Sequence, residues 1–265
     1  MPLAEITPVE PDAVNTDEGS IKQAFVLISL FCYSLIYCLL KERLFMPSFQ
    51  SLIEFCQDDW NRYIQHDFVQ QLGKGTLAKS CFQHYLKQDY LFLIQFSRAW
   101  GLAVYKSHDI FEIRQALAGL KTIVEVELDL HIQYCKQWGI NKQELDNLPE
   151  AKANIAYTRY MLDAGQQGDL LDLHIALAPC LIGYGVLACW IQEQSWYQAH
   201  NNPYQSWIEM YTGDEFHAAM QTEINWINQR LVNIDSQRFE QLAKIFTNAT
   251  RLEADFWQMG LDKSY

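Results

Sequence analysis

The chain has 265 residues, 49% of them apolar and 14% aromatic, which is enough for a sizeable core and excludes wholesale disorder. Lys and Arg number 20 against 32 Asp and Glu, a net charge of −12, and an acidic chain with no basic run repels a phosphate backbone, so nucleic acid is not an expected partner. The 7 cysteines are odd in number and lack a C-x-x-C pair, which argues against a disulfide scaffold or a zinc ribbon and for reduced, mostly buried thiols in a reducing compartment.

Residues 1–20 are acidic, contain proline and lack apolar periodicity, so they read as disordered. Residues 23–40 carry no charge, a run of 18 that falls just short of the ~20 needed to cross a bilayer. Lys41 and Arg43 follow it and acids precede it, so an anchor here would leave the rest of the chain on the cytoplasmic side. The acidic lead and the lack of a small-x-small site argue against a signal peptide. We therefore read 1–45 as an extension and 46–265 as the folded, cytoplasmic domain. An inner-membrane tether through 23–40 and a helix packed on the domain remain the alternatives.

From residue 46 onward the pattern is helical nearly throughout, with no sustained strand alternation and no solenoid repeat. Gly73 and Gly75 precede a helix starting near Leu77, with Gly101 inside it or at its end. Gly139 closes another helix, and Asn141 with Glu144 has capping-box spacing. Gly165 and Gly168 separate two more, and the chain breaks at Asn201, Asn202 and Pro203 and again at Thr212 and Gly213. The expectation is one all-α bundle of roughly eight helices.

Three helices carry polar groups where apolar ones belong. Phe82, Tyr85, Leu86, Phe92, Leu93, Phe96 and Trp100 share one face, and Asp89 falls on it. Its ordinary reading is a capped or paired rim carboxylate; the functional reading is an acid facing a pocket. Residues 169–192 are apolar on all sides, which places that helix at the centre of the domain, with a kink expected at Pro179 and Cys180 beside it. A lone Cys there is ordinarily structural, and His174, six residues away, lies on the wrong face to pair with it. Phe239, Leu242, Phe246, Ala249, Phe256 and Gly260 form a third stripe that includes Glu253. Two inward acids and a central thiol among aromatics suit a flat, nitrogen-rich ring. The rings stack it, the acids bind its amine and ring nitrogen, and the thiol attacks an electron-poor carbon.

Metal chemistry finds less support. Asp214 and His217 form one carboxylate-x-x-His pair, Glu127 and His131 lie four apart, as do Glu125 and Asp129, and no second pair of the di-iron kind is present. These histidines read as surface or satisfied core groups, though one axial haem ligand remains compatible with the composition. The sequence holds no P-loop, no G-x-G-x-x-G and no G-x-S-x-G.

An ordered set of segments carries a resemblance. It runs His66–Gly73, Gly75–Leu77, Tyr85–Leu93, Tyr157-Thr158, Ala176–Tyr184, Tyr204–Tyr211 and Glu253–Met259. Over about residues 46–260 the chain resembles the TenA family, thiaminase II. The resemblance implies a haem oxygenase-like all-α bundle, commonly a homotetramer, that needs no metal or organic cofactor. It implies hydrolysis of 4-amino-5-aminomethyl-2-methylpyrimidine to the hydroxymethyl compound and ammonia, in thiamine salvage, with thiamine as a further substrate for many members. Cys180 matches the nucleophile, Asp89 the acid that binds the pyrimidine, and Glu253 the acid that serves the departing amine. Tyr157, Tyr184, Tyr211 and Phe92 match pocket positions.

Two departures stand out. Phe92 occupies a position often held by Tyr, which removes a phenol but keeps a stacking ring. The spacing from Cys180 to Tyr211 is longer than usual and reads as an insertion around Asn201 and Asn202, while 1–45 has no counterpart. The implied reaction is an addition–elimination through Cys180, with no base identifiable in the sequence and with acids nearby that raise the thiol's pKa. A non-catalytic pyrimidine-binding or regulatory protein and a metal-dependent oxygenase on the same bundle are the competing readings.

Overall fold

A computed structural model describes residues 47–265; the apolar run 23–40 and the extension around it lie outside the described residues. The described residues form twelve α-helices and no strand. Three short ones come first: α1 (Phe49–Phe55), α2 (Gln57–Ile64) and α3 (Asp67–Gly73). The long α4 (Lys79–Lys106) is next, then α5 (Ile110–Thr122), a π-helical turn (Ile123–Glu127) and α6 (Leu128–Gln137). After α7 (Lys142–Leu145) come α8 (Lys152–Gln167) and α9 (Leu170–Glu193), then α10 (Gln205–Thr212), α11 (Asp214–Leu231) and α12 (Ser236–Asp262). The count exceeds the roughly eight expected because segments of one or two turns are too short to show a helical period.

Most local signals act where the sequence puts them, but Gly165 lies buried inside α8 and Gly168 alone ends that helix. Ser48 and Ser51 close a capping box at the start of α1. Gly139, at φ 79°, turns the chain out of α6, and the Asn141 side chain accepts a hydrogen bond from the Glu144 amide, capping α7. Gly101 lies inside α4, which starts two residues later than expected. Asn201 adopts φ 60°, and the next side chain, buried Asn202, donates to the carbonyls of Leu72 and Gly73 at 3.0 and 3.2 Å. The α9–α10 connection is thus pinned to the end of α3.

Four long helices, α4, α8, α9 and α12, each touch the other three and make the core. The all-round apolar α9 is almost wholly buried, as expected; its length and hydropathy would suffice to cross a membrane, yet here it is the centre of the domain. It runs on through Pro179, whose carbonyl accepts a hydrogen bond from Tyr63 at 3.2 Å. One turn on, a Cβ at Gly183 would collide with the Tyr63 ring, so only glycine lets α2 approach α9 this closely. The start of α9 is fixed by charge: Arg238 of α12 forks onto both oxygens of Asp172 at 2.8 and 2.7 Å. Fully buried Gln88 ties α4 to α8. Its amide donates to Pro149 and its oxygen accepts from the Ala151 amide at 2.9 Å and from Asn154 at 3.2 Å. Its side-chain nitrogen and oxygen are both engaged, so the next residue, Asp89, is held in place.

Candidate active site

Each core helix delivers one polar group to a common region. Asp89 comes from α4, Tyr157 from α8, Cys180 from α9 and Glu253 from α12. Tyr157 donates to Glu253 Oε1 at 2.9 Å, and the carboxyl is only 1% exposed. Burial pushes it up to about 8; the Tyr157 hydrogen bond opposes this and the Asp89 charge adds to it. At neutral pH Glu253 is therefore mostly a neutral acid with a proton to give.

Cys180 keeps part of its surface accessible on a helix that is otherwise nearly all buried. Its thiol sits well above its ordinary value, first through burial and then through the charges of Glu253, Asp89 and Glu127. The resting group is a thiol, as the carboxylates on its face led us to expect. Ionisation has to be coupled to the arrival of a partner that takes the proton.

Asp89 is raised by burial and drawn back by His131, whose Nδ1 lies 3.4 Å from Oδ2. His131 Nε2 lies 2.9 Å from the carbonyl of Leu86, which can only accept, so Nε2 carries hydrogen. Its Nδ1 is the ring atom that faces Asp89.

Aromatic rings wall the region. Phe92 packs on Tyr157 and Phe256 at 5.3 and 5.8 Å between centroids. Tyr184 packs on Tyr211 at 5.0 Å, and Tyr211 on Trp207 at 4.7 Å. Behind them, fully buried Trp257 stacks on Phe68 at 5.0 Å. The Tyr157, Tyr184 and Tyr211 hydroxyls are all held well above their usual value, mainly by burial. They remain hydrogen-bond donors and acceptors at any working pH.

The family model of TENA/THI-4/PQQC matches residues 56–263. The chain belongs to this family. A Haemophilus influenzae protein described as uncharacterized is 45% identical over 213 residues, 80% of this chain and 98% of its own. An aminopyrimidine aminohydrolase of Halalkalibacterium halodurans is 36% identical over 214 residues, 80% of this chain and 95% of its own. The crystal structure of a TenA family transcription regulator from a Silicibacter species superposes with a TM-score of 0.75 at 39% identity, covering 81% of this chain and 96% of that one. A Shewanella denitrificans domain with a heme oxygenase-like fold aligns with a TM-score of 0.64 at 10% identity, over 82% of this chain and 94% of its own, which establishes the shared fold.

In this TenA-family chain, all seven residues singled out from the sequence lie in or around the core region: Asp89, Phe92, Tyr157, Cys180, Tyr184, Tyr211 and Glu253. His174 turns away, as its helical offset implied, and meets Glu223 at 2.7 Å and the Trp226 ring at 3.9 Å. His217 meets Cys189 at 3.4 Å. Among the described residues no three metal-ligating side chains converge. Sequence reasoning missed the part played by His131, which it left as a surface or satisfied core group. The i, i+4 pair with Glu127 was visible, but nothing in the sequence says which way that face turns. It also passed over Tyr63, on a helix it did not describe, and gave Tyr85, on the Asp89 face, no role beyond packing.

Proposed function

We propose that this protein hydrolyses 4-amino-5-aminomethyl-2-methylpyrimidine to the hydroxymethyl compound and ammonia, a step of thiamine salvage. The observation that carries the reading is the half-buried Cys180 set among Glu253, held at about 8 by burial, and the Asp89–His131 pair. Family membership and the name of the Halalkalibacterium relative support the substrate class.

The ring stacks among Phe92, Tyr184 and Tyr211, and Asp89 takes the ring nitrogen and its amino group. As the Cys180 sulfur bonds to an electron-poor ring carbon, the thiol proton passes to the Asp89–His131 pair. The electron pair pushed into the ring breaks the exocyclic C–N bond, and Glu253 protonates the departing amine. Water then adds to the methylene and returns a proton to Glu253. The S–C bond breaks, the stored proton goes back to Cys180, and the enzyme is unchanged. The sum is one amine and one water in, one alcohol and one ammonia out.

The test incubates the full chain with the aminomethylpyrimidine and, in parallel, with thiamine, following ammonia and the hydroxymethyl product by chromatography. Thiol-dependent conversion is expected, and Cys180→Ala falls by at least about a thousandfold. The ratio of the two rates ranks degraded against intact thiamine as substrate. Full turnover by Cys180→Ala refutes the covalent role. A folded protein that binds the pyrimidine without converting it would favour the regulatory reading, which the description of the Silicibacter relative motivates.

A further inference from the structure

Proline has no amide hydrogen, so Pro179 leaves the hydrogen-bond ladder of α9 one rung short at the carbonyl of Ile175. The missing rung lies directly before Cys180. The carbonyl of Pro179 and the amide of Cys180 belong to one rigid peptide plane, and the Cα of Cys180 hangs from it. Whatever holds that carbonyl sets where the thiol starts from.

Tyr63, from α2, holds it. Its hydroxyl donates to the Pro179 carbonyl at 3.2 Å. The side chain is wholly buried, so water does not compete for the bond. Burial also keeps the phenol protonated, and hence a donor, far above neutral pH. The approach is built into α9. A Cβ at Gly183 would come within 2.7 Å of the hydroxyl oxygen, so the helix omits a side chain where the phenol enters, one turn beyond the thiol.

The Tyr63 ring makes a second link. It stacks on Trp257 at 6.3 Å between centroids, with the planes 15° apart. Trp257 stands four residues after Glu253, on the same face of α12. One residue of α2 thus touches the turn that carries the thiol and the turn next to the acid.

We infer that Tyr63 is a positioning residue that, through the Pro179 carbonyl, fixes the Cys180 sulfur in line with the reacting ring carbon and in register with Glu253. Its effect on turnover rests on the aminopyrimidine reading; its effect on the free thiol does not. A thiol on a loosened turn is more open to a small reagent from solvent but attacks a bound ring less well. Tyr63 therefore raises turnover and restrains the free thiol.

The test compares the full chain with Tyr63→Phe, which removes one oxygen and keeps the buried ring. With the aminomethylpyrimidine, kcat is expected to fall about tenfold and KM to stay within about twofold, because the rings that stack the substrate are unchanged. In the substrate-free protein at about pH 9, iodoacetamide alkylation of Cys180, read from the mass of its peptide, is expected to rise about threefold. Buried Cys56 and Cys135 are internal controls and are expected to keep the parent's rate. Gly183→Ala crowds the phenol without removing it and is expected to move both readouts the same way, with Tyr63→Phe adding little on top of it. An unchanged rate at Cys180, or a rise at all three cysteines together, overturns the inference. An unchanged kcat in an active parent does so as well. A parent that converts no aminopyrimidine overturns that reading, and the alkylation rates then decide this inference alone.

Discussion

The central helix α9 and the outer helix from Ile110 to Gln137 are both rich in apolar residues, and they use them in opposite ways. Along α9 nearly every side chain is buried, including those opposite Cys180. On the outer helix Ile110, Phe111 and Leu130 are 62%, 66% and 55% exposed, and α5 buries only Ala116. The regular helix fixes one thiol by packing on every side. The outer helix gives up regularity at its π turn and brings His131 against Asp89. Without the inserted residue, His131 would point roughly 100° away from Asp89. Apolar content spread all around a helix marks the centre of the core; where it lies on one side, as on α4 and α12, the polar groups that interrupt the stripe carry the information.

The sharpest way to break this contrast is to remove packing behind the site. Trp257→Ala is expected to cost about 3–5 kcal/mol in chemical denaturation, because that side chain is fully buried among stacked rings. A loss comparable to that of a surface change would mean the core tolerates a void that its packing forbids.

Electrostatics gives the next largest effect. Glu253 binds its proton up to about 8 in the folded chain and only to about 4.5 when exposed. Between those values the folded state holds more protons than the unfolded one, so stability falls as pH rises through the window. The expected fall is on the order of a few kcal/mol between about pH 5 and pH 9, read from urea midpoints. Glu253→Gln flattens the slope, leaving the contributions of Asp89 and Glu127, which have the same direction. An unchanged slope would show that Glu253 is ionised at neutral pH, and with it would go the general-acid role.

The smallest effect belongs to the outer face. Leu130→Ser is expected to change the unfolding free energy of dilute protein by no more than about 0.5 kcal/mol. A loss that grows with protein concentration would mean that a second copy covers this face and that the contrast holds only within one chain.

These contrasts also explain which features were legible in the sequence. The central position of α9 could be read from its all-round apolarity, and Asp89 and Glu253 stood out because each interrupts an apolar stripe. The family resemblance added the tyrosines. His131 stayed hidden because a π turn leaves no mark in hydrophobic periodicity and shifts the face of everything after it. Tyr63 and Tyr85 were hidden for another reason. An aromatic on a core face looks the same whether its hydroxyl is idle or at work. The short helices α1, α3 and α7 went uncounted because one or two turns carry no measurable period.

Because α4, α8, α9 and α12 each supply one group to the site, its chemistry belongs to the bundle and not to any loop. Loop exchange, the usual route by which a scaffold acquires new reactions, would leave this thiol and its acids untouched. A descendant with different chemistry would have to change residues that also hold the domain together, so the reaction should persist across relatives while its rim diversifies. The rings that α10 lends to the wall, Trp207 and Tyr211, lie outside those four helices, and it is there that a change of substrate would leave its record.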